Sequence, residues 1–466
     1  MAEEIDPLKF DVVPGTIWGD EAETIVYAQA GGNGDSLIFR FSLNPAKSPH
    51  SLPNRIVNCF HVIDEDDIKS TFVSRSDMRK EIWTAVVKVW AKCLRDEKNL
   101  KPGVIVDLDT NDAGDITWTA AEDPLFEKYL EFMSGIKSSD LSSEGDSAPV
   151  RDISEVIMLE AMTGRGAAKS AGLRKGQREQ SPLIFRGIDF QTYLQVHDEA
   201  GEFSSAMLET WKRASRLIAG MTPHPNIQPP PKYLVSVTGP SGEPTLIGHL
   251  STYSHRRYLS AVMETENENQ KQIDLPKKAK WCHQMSLAVA HTHQVLKTYH
   301  MDICPQNFLL DEEQENLFLV DWEQNKVTAA TLAPEADGTR DVKEVDSKLV
   351  YTEYDGPERS NMPEEGAQNG WNVFPEWQAS CPRATELAEV FSLGRTMWML
   401  LSREDIDFDE VEHPDDVEVV WGDGSLPRSW TKMIDSCMVA DPNKRPSLAE
   451  LVKFWEEEEA KLAGSA

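Results

Sequence analysis

Residues 1–135 alternate apolar and polar positions in short runs, "TIVYAQA", "SLIFRFSL", "RIVNCFHVI", "GVIVDLD" and "DITWTAA", which is the period of half-buried strands. Among them "MRKEIWTAVVKVWAKCLRDE" sets Ile82, Val86, Val89 and Trp90 at helical spacing, so this part predicts a small α+β unit. The pattern lapses over 136–149, "IKSSDLSSEGDSAP", where serines and acids leave too little apolar surface to offset ordering, and a linker is expected. Residues 164–182, "GRGAAKSAGLRKGQREQSP", are glycine-rich and basic. Such glycines can cradle a phosphate, but no strand is read before them and no hairpin return after, so a basic loop is expected.

Beyond 182 the periods sharpen. "PLIFRGIDFQTYLQV" alternates as strand, "SAMLETWKRASRLIAGM" is helical, and two further strands flank the turn Gly239-Pro240-Ser241-Gly242. From about 274 the chain is mostly helical: Asp274 suits an N-cap, Pro276 a first turn, and Trp281, Met285, Ala288, Val289, Thr292 and Leu296 share one face. The expected organisation is an α+β unit at 1–135, linker and basic loop at 136–181, a sheet-rich segment at 182–254 and a helical one at 255–460.

The 466 residues suffice for two to four such units, and 40% hydrophobic with 27% charged residues is ordinary for a globular chain. Charge changes the picture more. With 47 basic against 78 acidic residues the net charge is −31, a mean field that repels nucleic acid and anionic membranes. Six cysteines lie far apart without a CxxC pair, and the start "MAEEIDPLKF" lacks a basic then apolar leader. An intracellular setting, cytoplasmic or nuclear, is expected.

Chemistry concentrates in "YHMDICPQNFLLDEEQENLFLVDWEQN", residues 299–325. Asp302 and Asn307 lead into the strand "FLL", and after an acidic turn the run "LFLV" ends on Asp321. Two antiparallel strands so joined would bring Asp302 and Asn307 close to Asp321. Amide and carboxylate oxygens suit Mg²⁺ shared with nucleotide phosphates. The other carboxylate could orient an attacking hydroxyl and accept its proton.

This spacing resembles the H-R-D-x-x-x-x-N loop and D-F-G element of protein kinases. "HPNI" at 224–227, "VFSLGRTMWMLL" at 390–401 and "DPNKRPSLAELV" at 441–452 are similar to further kinase segments, in the same order. The resemblance covers roughly 180–456, and "DWEQ" with "APEADGT" is similar to a divergent group of fungal kinase-like proteins. It implies a bilobal fold with ATP and Mg²⁺ as cofactors: Asp302 as catalytic base, Asn307 and Asp321 as metal ligands, Arg186 as the phosphate clamp. His300, Glu389, Arg445 and a Glu paired with Arg445 would be structural. Three Pro-Glu pairs compete for that pairing, in "TLAPEADG", "YDGPERSN" and "VFPEWQ"; Glu358 is favoured because "YDGPER" keeps the family's tyrosine and arginine. The stretch from Asp321 to the segment at 390 is long, so an insertion is expected there.

Several positions depart from the family. Met301 replaces the arginine that pairs with a phosphorylated activation loop, and Cys304 the lysine that steadies the transferred phosphate. Arg186 stands for a lysine, no Glu occurs near Ala214 or Ser215 on the helix that should supply one, Glu323 replaces a glycine, and the full glycine motif is missing. Three functions follow: a weakened Ser/Thr-type protein kinase acting on protein substrates, a pseudokinase that regulates partner proteins as a scaffold, or a small-molecule phosphotransferase of the aminoglycoside or choline kinase type, to which Asp321-Trp322-Glu323 is similar.

Overall fold

The structure is a computed structural model that describes residues 17–19, 22–29, 36–61, 68–93, 103–135, 148–161, 168–173, 183–197, 201–239, 242–252, 257–269, 272–311, 313, 315–324, 327–356, 373–402, 406, 408, 411, 413–422 and 425–464. The chain is α+β, and its contacts divide it into one unit of residues 1–204 with 231–253 and another of 205–230 with 254–466.

The first unit holds two sheets. Strands β1 (Ile17–Gly19), β2 (Glu23–Gln29) and β3 (Ser36–Ser42) precede helices α1 (Leu52–His61) and α2 (Ile68–Cys93), after which β4 (Val104–Thr110) and β5 (Ile116–Glu122) complete a sheet in the order β1-β2-β3-β4-β5. Phe39, Phe41, Val106 and Leu108 alternate onto the face that α1 and α2 cover with Ile56, Ile82, Val86 and Val89. Helix α3 (Pro124–Met133) follows, capped by Asp123, whose carboxylate accepts from the Leu125 N–H at 2.8 Å.

The second sheet draws on β6 (Val150–Asp152), β7 (Val156–Ala161), β8 (Ala168–Leu173) and β9 (Leu183–Gly187); helices α4 (Phe190–Val196) and α5 (Gly201–Gly220) intervene before β10 (Tyr233–Thr238) and β11 (Pro244–Thr252). Its order is β6-β10-β11-β9-β8-β7. Two expectations are corrected here. Three strands form within 136–181, and the glycine-rich stretch follows one strand and itself contains another, since β7 and β8 pair antiparallel, Met158 opposite Ala171. Residues 136–147, 162–167 and 174–182 lie outside the described residues. At the sheet's centre Gly187 pairs with Gly248, where a Cβ on Gly248 would sit 2.4 Å from the Phe185 ring, so only glycine lets that ring lie flat.

Most of the second unit is helical. Helices α6 (Leu259–Glu268) and α7 (Leu275–Gln294) precede a short hairpin, β12 (Phe308–Leu310) with β13 (Leu317–Leu319), and a second hairpin, β14 (Arg340–Val345) with β15 (Lys348–Glu353). Helices α8 (Phe374–Ser380), α9 (Pro382–Ser402), α10 (Arg428–Cys437) and α11 (Leu448–Ala463) follow. Asp274 caps α7 as expected, accepting from the Lys277 N–H at 2.8 Å. Trp281, Trp398, Trp430 and Trp455 are fully buried where α7, α9, α10 and α11 meet. Within α9 every residue from Leu387 to Leu401 is buried, Met397 and Met399 included, so that helix is the unit's axis.

Candidate active site

The hairpin β12–β13 does what the spacing predicts. Phe308 pairs with Leu319 and the Val320 N–H donates to the Asn307 carbonyl at 3.0 Å, so Asp321 follows directly from a residue bonded to Asn307. The "HPNI" turn braces β13 from its other edge. Leu319 N–H donates to Asn226 O, Gln228 N–H donates to Leu319 O, and the buried Asn226 amide donates to Leu317 O at 3.0 Å. Asp321 itself has φ 70°, a left-handed backbone that costs a non-glycine residue and persists only where neighbours over-determine it.

Asp302 is held from both sides. Its Oδ1 accepts from the Thr328 N–H and hydroxyl, each at 2.8 Å, and its Oδ2 accepts from the Asn307 amide at 2.8 Å. The same amide also donates to the Asp302 carbonyl at 2.8 Å, which spends the Asn307 nitrogen and leaves the side-chain oxygen as its acceptor atom. Three donors on one carboxylate fix its plane and orient the remaining lone pairs. Thr328 was not legible as a site residue, because it reaches Asp302 from 26 positions along the chain.

His300 is buried, donates from Nε2 to the Val320 carbonyl at 2.7 Å and packs edge-on against Trp322. It therefore links the loop to the end of β13, as a structural role requires. Glu389 on α9 lies beneath the loop with no exposed surface. It accepts from the His300 N–H at 2.7 Å, from the Met301 N–H and from His293 Nε2 at 2.6 Å. Burial pushes the Glu389 carboxyl up, but His293, His300 and the loop amide together hold it below its usual range, so it stays ionised. Met301 sits at φ 86° with its side chain buried, and Glu389 fixes that strained turn. His291 and His293 diverge, His291 donating to Thr222 O at 3.3 Å.

Arg445 forks onto Glu335, at 2.5 and 2.8 Å, with its side chain fully buried. This corrects the expectation for Glu358, which lies outside the described residues. The deciding factor is desolvation, since a buried guanidinium needs a bidentate partner, and the Glu of "APE" at 333–335 supplies it. The hairpin of β14 and β15 follows Glu335. Asn443 anchors it by pairing its side-chain amide with both backbone groups of Leu349, at 2.8 and 2.9 Å.

Cys304 is buried. Burial, and then the neighbouring Asp302 carboxylate, push its thiol far above the usual cysteine range, so it offers no charge. On α5, Ala214 and Ser215 are buried and Glu209 pairs with Lys212 at 2.9 Å. In the first unit, Arg186 lies on β9 between His249 of β11 and Ala168 of β8. Among the described residues no group of three His, Cys, Asp or Glu side chains is placed to hold a metal ion alone. The amide oxygen of Asn307 and the carboxylate of Asp321 are hard donors, and this set fits a cation completed by phosphate oxygens. No protein-family model matches the chain, and no curated protein matches it.

Proposed function

We propose that the chain is an ATP-dependent protein kinase of the Ser/Thr type with a bilobal kinase-like fold. The observation that carries this reading is the joining of Asp302, Asn307 and Asp321 through the β12–β13 hairpin, with Asp302 clamped by Thr328 and Asn307. Asp302 would orient a substrate hydroxyl and take up its proton as attack begins. Asn307 and Asp321 would hold Mg²⁺, which with ATP supplies an activated phosphoryl group and neutralises its charge. Arg186 sits on the third strand of the β7–β8–β9 meander, the strand on which the kinase pattern carries its phosphate-binding lysine. The division into a unit that holds both large sheets and a mostly helical one supports this reading.

A second reading, a regulatory pseudokinase, is favoured by Cys304, a neutral buried thiol where the family has a lysine. Activity separates the two. The purified chain should bind ATP only with Mg²⁺ and transfer phosphate to casein or to itself, and Asp302→Asn should lower transfer about a hundredfold or more while binding persists. Absence of both binding and transfer selects the scaffold. Transfer to choline or an aminoglycoside without transfer to protein selects the small-molecule class.

A further inference from the structure

Helix α5 has no carboxylate near Ala214 or Ser215, yet it reaches the segment that carries Asp321. Arg213 donates from Nε at 3.2 Å and from Nη2 at 3.0 Å to the carbonyl oxygen of Glu323. Two donors on one oxygen fix the plane of the guanidinium as well as its distance. The backbone it grips is strained, with Asp321 at φ 70° and Gln324 at φ 52°. Further ties described on that segment come from the loop at 298–307: His300 to Val320 O, Asn307 O to the Val320 N–H, and the Gln324 amide to Tyr299 O and Thr298 Oγ1. Arg213 alone among these comes from a separate helix.

Among the described residues, a phosphate-dependent hold of the kinase type lacks both of its usual partners on this segment. Met301 is buried and apolar, so the residue before Asp302 cannot receive a phosphate as the arginine of the kinase pattern would. Thr328 and Thr331 are the only hydroxyl residues between Asp321 and Glu335; the Thr328 hydroxyl is spent on Asp302, and Thr331 has no exposed surface. We infer that Arg213 is a positioning residue that sets the backbone after Asp321, and so the aim of its carboxylate, without phosphorylation of the 321–335 segment. The inference rests on the proposed reading of Asp321 as a metal ligand.

The test uses the full chain with Arg213→Ala and Arg213→Lys. In Arg213→Ala the Mg²⁺ concentration for half-maximal ATP binding should rise about tenfold, as when an outer partner of a metal ligand is lost. The unfolding midpoint should stay put. Millimolar methylguanidinium should restore the lower Mg²⁺ requirement, and Arg213→Lys should fall between, because a point donor replaces a fork. Backbone amides of Trp322–Gln324 should exchange about tenfold faster in Arg213→Ala, since one of their restraints is gone. Phosphatase treatment of the unaltered chain should leave its Mg²⁺ dependence unchanged. An unchanged Mg²⁺ requirement and unchanged exchange in Arg213→Ala overturn the inference, as does a phosphatase-induced loss. Should the unaltered chain bind no Mg²⁺-ATP while exchange still rises, the kinase reading fails and the grip of Arg213 on the segment stands.

Discussion

His249 lies on β11 opposite Arg186, is 2% exposed, and neither of its ring nitrogens has a hydrogen-bond partner among the described residues. Burial first, and Arg186 second, lower its pKa to about 3. The folded chain therefore keeps the ring neutral while the unfolded chain binds a proton below its ordinary value of about 6.5. Stability from this group is complete above about pH 6.5 and is lost progressively as pH falls towards the folded value. At about 1.4 kcal/mol per pH unit, roughly 2 kcal/mol should vanish between pH 6.5 and 5. Urea unfolding at pH 7.5 and pH 5 measures this directly. His249→Leu should flatten the difference, and an equal acid loss in the variant would exclude His249 as its source. Residues of this kind were illegible in the sequence, because a histidine in "LIGHLST" reads the same whether its ring is solvated or enclosed. The approach of Asn307 to the strand that leads into Asp321 was legible because a local hairpin sets it. Thr328 and Glu389 depend on tertiary placement, and only the resemblance drew attention to Glu389.

The element that the sequence misplaced is β8, "AKSAGL". Small and charged residues give it little intrinsic strand preference; pairing with β7 and β9 makes it a strand. Its Lys169, with a side chain only 5% exposed, donates to Asp189 at 2.6 Å and to Gln191 at 2.9 Å, and the same Asp189 caps α4. A lysine so buried is invisible to pattern reading, which assigns it to solvent. The partner of Arg445 posed a like difficulty, since three Pro-Glu pairs satisfy the local pattern and burial alone chooses among them. Because Arg445 also donates to Leu387 O and Ala440 O, the Glu335 pair ties the "APE" turn to α9 and to the loop before α11. Glu335→Ala should destabilise the helical unit by about 3–5 kcal/mol, the cost of stranding a buried guanidinium. Chemical denaturation measures the loss. A loss within about 0.5 kcal/mol, the range of ordinary surface changes, would show the pair to be dispensable.

On the scale of the whole chain, periodicity predicts a separate N-terminal unit ending near 135, whereas the contacts join it to the six-stranded sheet in one unit. The seam is α3. Its Tyr129 has no exposed surface and donates its hydroxyl to the Ile188 carbonyl at 2.7 Å. Burial, and then Asp189, raise that phenol's pKa well above the usual range, so it remains a donor across the accessible pH range. Phe126 and Tyr129 meet Phe190 of α4 at centroid distances of 5.1 and 5.5 Å, and Phe132 meets Tyr193 at 5.4 Å. An amphipathic pattern announces that α3 buries one face, but not against which neighbour, which is why the seam could not be read in advance. The N-terminal residues therefore act as part of the scaffold that holds Arg186 in its sheet. Tyr129→Phe should cost about 1–2 kcal/mol, since the Ile188 carbonyl loses a buried partner. A chain beginning at residue 148 strips all of α3, exposes Phe190 and Tyr193, and should unfold at lower urea or aggregate. If that shorter chain instead unfolds at the same urea midpoint as the full one, the N-terminal unit is an independent attachment and its role must be sought in a partner.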